Sequence, residues 1–204
     1  MKHARILRPA LALLLALSAA SSHARLADKD LQALQLLVLG PKNNEVRSCL
    51  DASFGILEGL VAAAREPDSK VSELLMQGEM AGSLRTLREQ QVTLWKEHHS
   101  PAKLANFQYE WCLKERGLPP VGLGELGERC FSAAMVPATA SLLKTGYKVS
   151  QEDATEKVMA TWGEQAKGDW PKQVVSDIYA AATTEATLAV FRRVFVSCVV
   201  SNNN

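Results

Sequence analysis

The residues with the most specific chemistry in this sequence are four cysteines: Cys49, Cys112, Cys130 and Cys198. An even count in an exported chain implies disulfides, and four cysteines allow three pairings. The intervals between them are 63, 18 and 68 residues, and no C-x-x-C occurs. Zinc ligands and redox-active thiols come in close pairs, so neither a metal site nor catalytic thiol chemistry is expected.

The other candidate groups are weaker. His98 and His99 are adjacent, so on a helix they diverge by about 100° and cannot grip one metal as i and i+4 histidines do. They read as a polar helix end, where histidine favours the C-terminal dipole. Gly122, Gly124 and Gly127 spell G-x-G-x-x-G, but Pro119-Pro120 stands where a dinucleotide site needs a strand. No nucleophile elbow or phosphate loop is present. Glu58, Glu73, Glu79, Glu110, Glu125 and Glu128 are numerous enough to supply a glycosidase pair, yet nothing marks one of them as an acid in an apolar pocket. Trp95, Trp111 and Trp162 fall at helical positions and read as core. Trp170 stands in a turn between Asp169 and Pro171. There it is either exposed as an anchor for a partner or folded back under the turn.

The elements that must position these groups are helical. Period 3.6 dominates and strand alternation is scarce. Lys29–Leu39 reads as a helix stopped by Gly40-Pro41. Asn43 or Asn44 can cap the next helix. Its stripe is Val46, Cys49, Leu50, Leu57, Leu60, Val61 and Ala64. Gly55 and Gly59, one turn apart, offer a close approach to another helix. A break at Glu66–Ser69 precedes one long helical pattern from Val71 to Glu97, bent near Gly78 or Gly82. Ser100 caps a helix with Pro101 at its first position, ending at Gly117. In the second half, Glu125–Lys144 is a helix kinked near Pro137. Ser150 to Asp153 resembles a capping box that opens a helix to Lys167. Pro171 starts the next helix. Thr184 caps the last, which ends near Val200 before a frayed tail.

An internal repeat organises these elements. Leu94–Phe107 and Ile178–Phe191 align without gaps and share Ala102/Ala186, Leu104/Leu188, Ala105/Ala189 and Phe107/Phe191. Each half also starts and ends near a cysteine and carries a Lys-Val-Ser triplet, at Lys70–Ser72 and Lys148–Ser150. A duplication makes Cys49–Cys112 and Cys130–Cys198 the natural pairing. The expected fold is all-α: two similar disulfide-stapled halves, 25–116 and 125–204, joined by a linker at 117–124 and packed as one bundle.

The N-terminus supplies the address. Lys2, Arg5 and Arg8 precede a Leu/Ala run from Leu11 to Leu17, and Ser22-His23-Ala24 fits a cleavage site, so residues 1–24 read as a secretory signal peptide. The apolar run is too short to span a bilayer, and no later segment is long and apolar enough. The compact n-region has a bacterial style, which makes the periplasm, or secretion, the expected destination. The 204 residues carry 23 basic and 22 acidic groups; removing the signal leaves 20 and 22, a net charge of about −2. That balance excludes a nucleic-acid binder built on a broad basic face, and 47% apolar residues exclude a disordered chain.

Together these features lead to a non-enzymatic exported helical protein that binds another envelope or exported protein, for instance as an inhibitor or immunity-type partner of an envelope enzyme. Trp170, Asp169, His98 and His99 are the candidate contact residues. No cofactor or metal is expected. The alternatives are a carrier of lipid or a small apolar ligand, with Leu74, Leu75, Met76 and Met80 near its cavity, and an envelope hydrolase with a carboxylate site.

Overall fold

The computed structural model describes residues 45–64, 66–78, 82–118, 123–163 and 168–202. The expected signal peptide, the helix at Lys29–Leu39, the Asn43/Asn44 cap, Glu79, Met80, Pro119-Pro120, Gly122 and Lys167 lie outside those residues. Eight helices and no strands are present among the described residues. They are α1 (Glu45–Ala63), α2 (Asp68–Leu75), α3 (Ser83–His98), α4 (Pro101–Glu115), α5 (Gly124–Thr145), α6 (Gln151–Trp162), α7 (Trp170–Ala180) and α8 (Thr184–Asn202). None of them is long and apolar enough to cross a membrane.

Local chemistry sets most of the boundaries. Ser100 Oγ accepts from Lys103 N (3.2 Å) with Pro101 at the first position of α4. Ser150 Oγ accepts from Asp153 N and donates to the Asp153 carboxylate, so Ser150 caps α6 but the carboxylate holds the cap hydroxyl and not the backbone N–H of a full capping box. Gly117 adopts φ +63°, and Leu118 N reaches back to Leu113 O, the left-handed close that ends α4. Lys144 Nζ donates to the carbonyls of Ile178, Tyr179 and Ala181 at 2.7–3.2 Å, which satisfies the C-terminus of α7 from α5.

Several expectations need correction. The pattern from Val71 to Glu97 is two helices, because Gly78 (φ +89°) and Gly82 (φ +58°) take left-handed conformations that a helix does not accept. The helix expected to reach Lys167 ends at Trp162. The cap of α8 is Thr183, whose Oγ1 accepts from Ala186 N, and Thr184 is the first helical residue. Ala64 lies past the end of α1 and is exposed. A Cβ at Gly55 would meet nothing within 4 Å, and one at Gly59 would only touch Leu74, so neither glycine is required by packing. Between helices, packing constrains Gly127, where a Cβ would fall 2.1 Å from Asn106 Oδ1 of α4.

Two disulfides join Cys49 to Cys112 and Cys130 to Cys198, the pairing that the repeated order favours. They tie α1 to α4 and α5 to α8. The halves share part of their organisation: α1 packs on α4, α2 on α3 and α3 on α4, as α5 packs on α8, α6 on α7 and α7 on α8, but α5 also packs on α7, whereas α1 and α3 do not pack together among the described residues. The repeated segments fall on the same feature, the corner from α3 into α4 and from α7 into α8. The Lys-Val-Ser triplets do not: one lies inside α2, the other precedes α6 with Ser150 as its cap.

The core crosses the boundary between halves. Phe54 of α1 contacts Phe131 of α5 and Phe191 and Phe195 of α8, with ring centroids 5.2–6.0 Å apart. Tyr109 of α4 packs edge-on to Phe131 and Phe195. Its hydroxyl is fully buried with no partner among the described residues, and burial pushes its pKa well up. A polar layer adjoins the aromatic one. Arg192 of α8, 3% exposed, bonds both carboxylate oxygens of Asp51 and reaches Glu185, which also pairs with Arg47 of α1. A smaller second core of Leu60, Val71, Leu75, Trp95 and Leu104 holds α2 and α3 on the outside of the first half.

Each disulfide closes a loop of more than 60 residues. Replacing either pair with serine is expected to lower unfolding stability by about 2–4 kcal/mol in chemical denaturation. Tyr109→Phe is expected to leave stability unchanged or raise it by about 1 kcal/mol, because it removes a buried hydroxyl without a partner. A loss larger than about 1 kcal/mol in the same assay would show that the hydroxyl is bonded.

Candidate functional site

The fold places the expected contact residues in two unconnected regions. α3, which carries His98, packs only on α2 and α4 among the described helices, whereas Trp170 opens α7 in the other half. The four residues therefore do not form one surface.

His99 closes α3 in the left-handed conformation (φ 50°). Its Nε2 lies 3.1 Å from Asp68 Oδ2, and Trp95 Nε1 donates to Asp68 Oδ1 at 3.0 Å. Asp68 is the first residue of α2, so this cluster latches the start of α2 to the end of α3. The bond from His99, then that from Trp95, holds the Asp68 carboxyl below its ordinary range. The neighbouring Ser100 hydroxyl accepts from Lys103 N as the α4 cap. His98 is exposed and faces Glu97.

Trp170 is half-buried and packs on the main core. It forms one wall of a groove of about 600 Å³ between α7 and α8, with Ala133 of α5 also lining it. Val174, Val194 and Cys198 contribute apolar surface, while Gln173, Ser197, Ser201 and Asn202 supply hydrogen-bonding groups. Asp177 and Arg193, one from each helix, form an ion pair across the groove. One disulfide and two sets of hydrogen bonds hold its shape. The Cys130–Cys198 disulfide joins α8 to α5, Lys144 holds the far end of α7, and the Tyr179 hydroxyl donates to Val149 O. Pro137 has no N–H to give the Ala133 carbonyl, which leaves that acceptor without its usual helical donor. Asp169 is exposed beside Trp170 and pairs with Lys172 at 2.8 Å, which holds its carboxyl below the ordinary range.

A second groove of about 560 Å³ lies between α3 and α4 and is lined by Thr86, Glu89, Gln90, Thr93, Leu94 and Phe107. The register that aligns Leu94 with Ile178 places Thr86, Glu89, Gln90 and Thr93 on Trp170, Gln173, Val174 and Asp177. The same face of α3 and of α7 thus lines each groove, whereas Phe107, the α4 wall of the second groove, aligns with the core residue Phe191. Only the second-half groove has a Trp wall and a cross-groove ion pair. Its counterparts to Trp170 and Asp177 are two threonines.

The acidic residues singled out in the sequence are dispersed. Glu58 accepts from Ser141 Oγ (2.6 Å), Glu73 pairs with Lys70, and Glu110 accepts from Asn106. Among the described residues no three His, Cys, Asp or Glu side chains are placed to hold a metal. Of the residues expected to line an apolar-ligand cavity, Leu75 is buried in the second core and Met76 is exposed. Sequence reasoning did not anticipate Arg193, Asp177 or Arg88. Arg193 and Asp177 belong to different helices, and only the α7–α8 pairing brings them together.

No protein-family model, curated protein or solved structure matches this chain.

The Asp68 latch has a defined pH sign. Asp68 has a lower pKa folded than unfolded, so the folded state binds fewer protons there, and its contribution is present above the unfolded value and lost as pH falls through the folded one. Asp68→Asn is therefore expected to flatten the acid limb of stability between about pH 5 and about pH 2, read as the urea midpoint at each pH. An unchanged acid limb would exclude the latch as a contributor.

Proposed function

We propose that this protein is a non-enzymatic binding module of an oxidising, extracytoplasmic compartment, and that the Trp170 groove docks a partner protein. The observation that carries the reading is the groove itself: an indole wall and apolar surface on a doubly anchored frame, edged by hydrogen-bonding groups and one ion pair. A large aromatic beside a polar rim is the composition in which binding energy concentrates. Rigidity adds to this, because a surface already held in shape loses little entropy on binding. The disulfides support the compartment, since bridges of this kind persist where thiols are not kept reduced. The partner in this reading is another exported protein that offers an apolar side chain to Trp170 and hydrogen-bonding groups to the rim. One version is an envelope enzyme that this protein inhibits.

A lipid-carrier reading has less support. The space between the helices at the centre is filled by the protein's own rings, Phe54, Phe131, Phe191, Phe195 and Tyr109.

The test is affinity capture from native envelope extract with four baits: the intact protein, Trp170→Ala, Arg193→Glu and, as a control on exposed α6, Lys157→Glu. The expected result is a stoichiometric protein retained by the intact bait and the control, with affinity reduced about 30-fold or more by Trp170→Ala. Capture that all four baits share equally would place the contact elsewhere and overturn the groove assignment.

A further inference from the structure

Arg88 of α3 is a half-buried cation with no carboxylate partner among the described residues. Its side chain lies on the face of α3 that carries Gln91 and Trp95, away from the groove lined by Thr86 and Glu89. Nη1 donates to Gln91 Oε1 at 2.6 Å and lies 3.5 Å from Gln108 Oε1. Gln91 Nε2 in turn donates to Gln108 Oε1 at 3.2 Å. Gln91 is fully buried and Gln108 nearly so. The two amides therefore hold one corner of the guanidinium from α3 and α4 and aim it. Neither Nε nor Nη2 bonds to a described residue. That pair of N–H groups is the guanidinium edge that matches the two oxygens of a carboxylate or phosphate.

The electrostatics point the same way. Burial lowers the pKa of Arg88, and no anion among the described residues offsets that cost. Neighbouring Arg85 differs: it is exposed and paired with Glu89 at 3.2 Å. Buried charges are ordinarily paired, and two neutral carbonyls on one nitrogen do not neutralise a cation.

We propose that Arg88 is an oxyanion-binding residue, taking a carboxylate or phosphate group on its Nε–Nη2 edge while Gln91 and Gln108 act as positioning residues. The bound group is either a free anion or an acidic group on a ligand. This site lies in the first half and is independent of the Trp170 groove.

The test uses the intact, disulfide-bonded protein with ¹⁵N labelling. Arginine Nε–Hε and glutamine side-chain amide signals are followed during titration at matched ionic strength with chloride as the reference. The probes are inorganic phosphate, acetate and a capped Gly-Glu-Gly peptide. The expected result is a saturable shift of Arg88 Nε and of the Gln91 and Gln108 amides, with Arg85 giving only an unsaturated drift. Saturation by phosphate or acetate identifies a free anion; saturation by the peptide at about tenfold lower concentration identifies an acidic side chain. Arg88→Lys keeps the charge but not the fork, and is expected to abolish the saturable shift of both glutamine amides. An Arg88 response no larger than that of Arg85 with all three probes would overturn the proposal, and so would glutamine shifts that persist in Arg88→Lys.

Discussion

The ring of Phe54, on the first helix of one half, is enclosed by three rings of the other half. The two disulfides cannot substitute for this contact, because each closes within its own half. What makes the halves one body is burial across the boundary, and Phe54 is its centre. Truncating such a residue costs about 3–5 kcal/mol, comparable with the contribution of a disulfide. The adjoining layer of Arg47, Asp51, Glu185 and Arg192 has two positive and two negative groups. Its members neutralise one another where the chain leaves water. Arg192 and Arg47 lie deepest in this layer, Asp51 is partly buried and Glu185 reaches solvent; burial pushes the Asp51 carboxyl up, against the pull of Arg192 and Arg47. Such an arrangement adds less stability than apolar packing would, but losing one member leaves its partners buried and uncompensated.

The groove follows from this frame. α8 is held at three places: by Phe191 and Phe195 in the core, by Arg192 on α1 and by Cys198 on α5. α7 is then laid beside it by Lys144 and Tyr179. Trp170 stands at the first turn of α7, with one side against the core and the other lining the groove. The corresponding face of α3 lacks both the indole and the ion pair. The two halves thus carry different surfaces: a groove with an indole wall and a polar rim on one, and on the other a guanidinium with no carboxylate partner among the described residues.

Much of this was legible in the sequence, for identifiable reasons. Helix starts were readable where a single side chain caps the backbone, as at Ser100 and Ser150. The disulfide pairing was readable because the cysteines recur in the same order relative to the repeated Leu-Ala-x-Phe. The α2–α3 break was not, because periodicity passes through a glycine whether or not it turns left-handed. Gly127 was overlooked for a related reason: its requirement comes from Asn106, on a different helix. The Lys-Val-Ser triplets suggested equivalence but occupy different positions, since three residues are too few to fix a register. The sequence left Trp170 either exposed or folded back under its turn; it is half-buried against the core, and the residues opposite it in the groove come from α8. Arg88 gave no signal, because a cation without a counter-charge is visible only once its neighbours are placed.

If the shared aromatic centre is what unifies the two stapled halves, they must open together. Native-state hydrogen exchange on the disulfide-bonded protein tests this most directly. The amides of Leu50, Phe54 and Leu113 are expected to exchange through the same global unfolding as those of Phe131 and Phe195, with one opening free energy and one denaturant dependence. Exchange of the α1 and α4 core amides at a distinctly lower opening free energy, with α5 and α8 still protected, would show two independent halves and contradict the account.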